Sequence, residues 1–386
     1  MVPMITNHDQ MELTAFRRAL HQFPELSGEE FETAKKIAAA LEQLSPTKVL
    51  TGLGGNGVAA VFDSGNDGPT VLFRAELDAL PITEQNDMEW VSQIAGKSHV
   101  CGHDGHMTIL LGLGRLLSRR PVARGRVVLM FQPAEEDGSG VRAVVSDPAF
   151  EQLRADWAFA IHVEPGRPFG QVSTCAGLIN CASLGLMMTL TGKTAHAADP
   201  ADGVSPMKVV ARLMPQLEAL SNESQLDDEF KLVTVTHARL GEPTFGIAPG
   251  DANVFATLRT TRDDALEELE TEARQLAIGL AQEHGLGITF DVFDKFAASI
   301  NDADAYDVAV AAMEAVGVKH DDVGVPMRAS EDFGVFGWDA KAAMLCLGPG
   351  EDYAALHNPD YDFPDDLIPI GCSVFDRIAR DLLGTA

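Results

Sequence analysis

Four short apolar runs constrain the fold most: GVAAVFD (57–63), PTVLFRAE (69–76), GRVVLMFQ (125–132) and DWAFAIHV (156–163). Each is too short for a helix and apolar almost throughout, the pattern of a strand buried on both faces. Between the second and third lies MTILLGLGRLLSRR, whose length and apolar content predict a helix. Strand, helix, strand in alternation predicts a largely parallel sheet with helices on its faces, an α/β fold. Sites in such sheets form at the carboxyl ends of the strands. Here those ends read Phe73-Arg74-Ala75-Glu76-Leu77-Asp78, Phe131-Gln132-Pro133-Ala134-Glu135-Glu136-Asp137 and Ala160-Ile161-His162. Three strand ends therefore carry acids or a histidine toward one region.

The predicted helix is preceded by Ser98-His99-Val100-Cys101-Gly102-His103-Asp104-Gly105-His106. The chain has only 11 His and 5 Cys, yet three His and one Cys fall within this stretch. Imidazole nitrogen, thiolate sulfur and carboxylate oxygen all bind divalent transition metals. The candidate ligands are Cys101, His103, Glu135, Glu136, His162 and His357. That set exceeds what one tetrahedral ion needs and fits two adjacent ions. Ions ~3.5–4 Å apart polarise a carbonyl and generate hydroxide at neutral pH. His99 and His106 are weaker candidates, with His106 expected in the first helical turn, as an outer partner or a satisfied side chain.

Glu135 and Glu136 are neighbours, so their side chains point different ways. Glu136 is assigned to the metal and Glu135 to general base, taking a proton during attack and returning it to the leaving amine. Asp78 either orients a ligand and tunes the base or caps a turn. His196, in Gly192-Lys193-Thr194-Ala195-His196-Ala197, offers a donor that stabilises an oxyanion. Asn253 and Arg259 lie on or beside one strand. Arg259 suits a substrate carboxylate or, equally, a structural salt bridge.

A chain of 386 residues is expected to form two domains. Over 182–296 the predicted order is strand, helix, two strands, helix, strand, the ferredoxin-like βαββαβ unit. It reads as an insertion into a discontinuous first domain, 1–181 and 297–386. Near the start, Ser27 and Glu30 fit a capping box that opens a helix running to about Leu44. The net charge of −28 argues against nucleic-acid or anionic-membrane partners. No apolar run reaches the ~18 residues that span a membrane, no basic start precedes an apolar run, and five scattered Cys make a poor disulfide framework. A cytoplasmic enzyme is the simplest expectation.

Together the stretches LHQFPELSGEE, FRAELDALPITE, SHVCGHDGH, QPAEEDGSG, AIHVEPG, TGKTAHAADPADGVSP, ASEDFG and LHNPDYDFPD resemble the dinuclear metal-dependent amidohydrolases. That group includes hippurate hydrolase, bacterial N-acyl-amino-acid amidohydrolases and plant indole-acetyl-amino-acid hydrolases. It belongs with the aminoacylases and glutamate carboxypeptidases. The resemblance implies a zinc-peptidase-like catalytic domain with a lid or dimerisation insert, and a homodimer or higher homo-oligomer formed through that insert. It implies two divalent ions, Mn²⁺ or Zn²⁺ first and Co²⁺ or Ni²⁺ also admissible, on Cys101, His103, Glu136, His162 and His357. It further implies Glu135 as base and His196 reaching the substrate carbonyl. The expected reaction is hydrolysis of the amide bond of an N-acyl amino acid, whose carboxylate Arg259 and Asn253 would hold. A dipeptidase, an N-acetyl-diaminopimelate deacetylase and a metal-dependent binder without turnover are the alternatives. One departure stands out: the family's usual Arg-Ala-Asp-Met-Asp reads Arg-Ala-Glu-Leu-Asp here, with Glu76 one methylene longer.

Overall fold

The computed structural model describes residues 5–222 and 225–386. The chain divides into two compact units. One runs to Ile179 and resumes over Ser299–Val325 and Glu331–Ala386; the other is Asn180–Ala298 with Pro326–Ser330. The second unit thus exceeds the expected 182–296 by two residues at each end and takes in a remote segment.

The first unit is built on a mixed, mostly parallel sheet. Its order is Lys48–Leu53, Gly57–Asp63, Arg126–Gln132, Thr70–Glu76, Trp157–Val163, Lys341–Leu347, then two short strands, Val172–Ser173 and His320–Asp321. The central pairings, Thr70–Glu76 with Arg126–Gln132 and with Trp157–Val163, and Trp157–Val163 with Lys341–Leu347, are parallel. Gly57–Asp63 pairs antiparallel on both sides. Thr70–Glu76 is buried at every position, as a strand covered on both faces must be. Phe73 meets Phe159 and Phe375 at ring-centroid distances of 5.8 and 4.8 Å. The helix His103–Arg119 is buried over nearly its whole length, consistent with its all-round apolar sequence. It packs against Asn7–His21 and Ile368–Leu383, two helices beyond the sequence-based assignments.

The expected capping box at Ser27 and Glu30 does not form. The helix begins at Phe31, and Glu30 at its cap makes no side-chain capping bond. Glu25 caps it instead, accepting from the Glu32 and Thr33 amides at 3.2 and 2.7 Å. Ser27 and Glu30 are drawn away by buried partners, Asp78 for one and the Gly28 and Ala134 amides for the other. A local motif loses when longer-range groups offer the same oxygens better-buried donors.

The second unit holds an antiparallel sheet ordered Lys231–Leu240, Asp251–Thr260, Ala182–Thr191, Gly287–Phe296. In chain order that is 2-3-1-4, with helices Met207–Glu218 and Asp263–Glu283 as the two crossovers. This is the ferredoxin-like arrangement. Along Ala182–Thr191 the buried Leu184, Leu186, Met188 and Leu190 alternate with half-buried residues, so one face is the core.

Candidate metal centre

The nine-residue stretch places its donors by a sharp turn into a helix. Gly102 caps that helix with φ +87°, and a Cβ there would come within 2.6 Å of Val163 Cγ1. Only glycine meets both demands. His103 then starts the helix at the carboxyl end of the sheet. Its Nδ1 lies 2.9 Å from the Asp78 carbonyl and donates to it, and Asp78 Oδ1 is 3.5 Å away. That leaves Nε2 buried and without a hydrogen-bond partner. Fixing one ring nitrogen on a carbonyl and freeing the other is how a ligand histidine is prepared. His162 repeats the device: Nδ1 donates to the Val163 carbonyl at 2.7 Å, and Nε2 lies 3.5 Å from Cys101 Sγ.

The two carboxylates arrive on the turn after Arg126–Gln132. Glu135 Oε2 and Glu136 Oε1 approach His103 Nε2 at 3.6 and 3.7 Å, and His357 Nε2 lies 3.6 Å from Glu136 Oε2. Glu136 Oε1 is buried and unbonded. Three overlapping triads result: Cys101, His103, His162; Cys101, Glu136, His357; and His103, Glu135, Glu136, each with its donor atoms within 4.8 Å. Asp78 is fully buried, accepting from Ser27 Oγ at 2.7 Å and from the Glu136 amide at 3.0 Å. Asp78 thus meets the His103 ring through its carbonyl and the Glu136 backbone through its carboxylate.

The electrostatics favour a cation here. Burial, then the neighbouring Glu331, Glu136 and Asp332, raise the Glu135 carboxyl well above its ordinary range. Burial likewise lifts Glu136 to about 7. Burial and both glutamates push the Cys101 thiol up. At His103 burial opposes charge, but Asp78, Glu76 and Glu136 overcome it and raise the ring to about 10. A concentrated negative field with unbonded N and O donors fits divalent ions, and the N, O and S donor set admits Zn, Mn, Co and Ni.

His106 groups with Glu76 and His162 in the same way, but its ring is occupied. Its Nδ1 bonds Glu76 Oε2 at 2.8 Å and its Nε2 accepts the Val163 amide at 2.9 Å, so both nitrogens are used. His99 is buried with neither nitrogen hydrogen-bonded. Glu76, the longer acid, spans from His106 to Arg74.

Sequence reading gave no role to the network behind Glu135. Arg74, 1% exposed, bonds Glu331 and Asp332 at 2.7 Å each, Gln132 at 3.0 Å, and Glu76. A lone arginine inside an apolar strand was the available signal, since buried Arg requires buried acids.

His196, Asn253 and Arg259 belong to the second unit. His196 is exposed on a two-residue strand paired with Ile247–Ala248, and its Nδ1 accepts the Ala198 amide at 3.1 Å. Asn253 donates to Thr189 Oγ1 at 2.9 Å. Arg259 donates to the Arg328 carbonyl at 3.0 Å and Ser330 Oγ at 2.7 Å. Both of these acceptors are neutral.

Fold and donor chemistry together define a class, the metal-dependent hydrolases. The sequence profile of Peptidase family M20/M25/M40 matches residues 72–381. The chain belongs to that family and is a hydrolase. It is 30% identical over 380 residues to the Arabidopsis thaliana IAA-amino acid hydrolase ILR1-like 2, covering 96% of this chain and 85% of the relative. It is 27% identical to the N-acetylcysteine deacetylase of Bacillus subtilis, covering 97% of each. Its fold matches the crystal structure of the Bacillus subtilis YXEP protein, a dinuclear metal binding peptidase from the M20 family. The TM-score is 0.81 at 25% identity, over 97% of this chain and 98% of that one. Among the described residues no helix is long and apolar enough to cross a membrane.

Proposed function

We propose that this protein hydrolyses the amide bond of N-acyl amino acids, releasing a carboxylic acid and a free amino acid. The observation that carries the reading is the set of three interlocking donor triads, with His103 Nε2 and Glu136 Oε1 buried and unbonded. Cys101, His103, Glu136, His162 and His357 hold two divalent ions, with Mn²⁺ or Zn²⁺ first and Co²⁺ or Ni²⁺ admissible. Bound there, the ions supply polarisation of the scissile carbonyl and acidification of the attacking water.

The remaining work falls to the chain. Glu135 takes the water's proton and returns it to the departing amine. Asp78 holds His103 through its carbonyl and the Glu136 amide through its carboxylate, so one residue steadies both ligands. His196 donates to the developing oxyanion, and Arg259 with Asn253 recognises the amino acid's carboxylate; these roles rest on side-chain chemistry. We further infer that the second unit serves as a lid or dimerisation domain, with a homodimer or higher homo-oligomer formed through it, in a cytoplasmic enzyme.

The test is a hydrolysis screen of metal-stripped protein reloaded with Mn²⁺ or Zn²⁺ against acetyl, benzoyl and indole-acetyl amino acids and a few dipeptides. Metal-dependent release of free amino acid from an acyl substrate is the expected result. Turnover of dipeptides alone would replace the reading with a dipeptidase, and no turnover with both ions bound would leave a binder.

A further inference from the structure

The segment Ser27-Gly28-Glu29-Glu30 has no part in the chemistry above, and its local capping role fails. Its polar side chains nevertheless go somewhere specific. Glu30 is fully buried. Its Oε1 accepts the Gly28 amide at 2.9 Å and the Ala134 amide at 2.8 Å, and its Oε2 accepts from Asn56 Nδ2 at 2.8 Å. Ser27 Oγ donates to Asp78 Oδ2 at 2.7 Å, the oxygen that also accepts the Glu136 amide. Two side chains from one segment thus bracket the turn bearing Glu135 and Glu136.

That turn is under conformational constraint. Ala134 has φ +49°, in the left-handed region that L-residues with a Cβ avoid. Its carbonyl is held by the Gly140 amide at 2.9 Å, and a Cβ on Gly140 would lie 1.6 Å from the Pro133 oxygen. The residue that fixes the direction of Glu135 is therefore in a conformation its own chemistry disfavours. A buried carboxylate on its amide is the bond that keeps it there.

We propose that Ser27–Glu30 is the template of the Glu135–Glu136 turn, with Glu30 as a positioning residue that locks Ala134 and so aims the base. The proposal rests on the reading of Glu135 as base. Glu30 touches no reacting atom. Its effect falls on the orientation of the carboxylate, where misplacement by about 1 Å costs about 100-fold in rate.

The experiment compares E30Q and E30A with the parent as metal-loaded full-length enzymes, using the fastest substrate of the screen. E30Q keeps the side-chain volume and guards against a failure of E30A to fold. Hydrogen exchange of the segment 132–140 is read alongside kcat, KM and metal content, so the result does not depend on activity alone. Expected are exchange in 132–140 faster by about tenfold or more with the remaining core protected, and kcat lower by about 10–100-fold with KM within about twofold and both metals retained. Adding A134G, which removes the penalty of the left-handed conformation, should recover much of the lost kcat. Unchanged exchange and kcat in both variants would overturn the proposal. So would a loss of kcat that tracks metal loss or ignores A134G, because Glu30 would then serve stability alone. E135Q run in parallel separates the two claims: activity surviving in E135Q while E30Q is impaired would remove the base assignment and leave the turn to act through Glu136.

Discussion

Arg74 and Arg239 are ion-paired arginines on strands, one in each unit. Arg74 is 1% exposed and faces Glu76, Glu331 and Asp332 together. The Arg239 side chain is 43% exposed and meets Glu242 and Asp251 at 2.6 and 2.7 Å. A similar contrast separates some of the candidate functional side chains, although His357 of the first unit is exposed and Asn253 and Arg259 of the second are half-buried. His103, Cys101 and Glu135 are buried, and the Asp78 carbonyl behind His103 sets the direction of its ring. His196 is exposed on a two-residue strand, its ring accepting the Ala198 amide. The first unit therefore presents His103 and His162 with their rings fixed by backbone carbonyls, and the second presents in His196 a side chain whose work depends on what it meets.

The largest expected effect is at the proposed base. E135Q should lower kcat by roughly 10²–10⁴-fold while both metals stay bound, since it removes the proton acceptor and little else. Metal content and kcat measured on one preparation decide it; full activity with full metal would assign the base elsewhere. Next comes the comparison itself. R74M strands three buried carboxylates and should cost about 3–5 kcal/mol of unfolding free energy. R239M should cost within about 1 kcal/mol, the usual worth of an exposed pair. Equal urea midpoints for the two variants would erase the distinction drawn between the units. H196A should lower kcat by about 10²–10³-fold, the cost of losing an oxyanion donor, with urea midpoint and metal content both at parent values. A change in stability without a change in kcat would make His196 a structural residue.

What the sequence reveals follows the same division. Strand bounds and the converging strand ends were legible because a parallel sheet buries both faces and leaves unbroken apolar runs. The donors of the nine-residue stretch were legible because they are adjacent in the chain. The supports behind them were not. Glu30 meets Ala134, Ser27 meets Asp78, and Arg74 meets Glu331 and Asp332 across long sequence separations. No periodicity encodes such pairings. The SGEE segment shows the hazard: its spacing satisfies a capping rule, yet three-dimensional partners take both side chains. His106 was ambiguous for a related reason, because only the Val163 amide and Glu76 show that its two nitrogens are already spent.

The buried support can also be probed without touching a ligand. His21 is fully buried, its Nδ1 2.9 Å from Asp104 Oδ2 and its Nε2 3.0 Å from Glu84 Oε1. Burial disfavours its charge, but the two carboxylates outweigh that and raise the ring from 6.5 to about 9. A group whose folded pKa exceeds its unfolded value binds more protons when folded. Its contribution is therefore complete below about pH 6.5 and is lost as pH rises through about 9. A shift of that size corresponds to roughly 3 kcal/mol. The measurement is unfolding free energy of parent and H21Q from pH 6 to 9.5, with their difference taken at each pH so that other titrating groups cancel. The parent's advantage should be greatest at the acid end and shrink toward the alkaline end. A difference that stays flat would mean that His21 is neutral in the folded protein. Asp104 and Glu84 would then be held by Arg17 and by the neighbouring backbone and amide donors, and the rigidity behind His103 would owe nothing to a buried imidazolium.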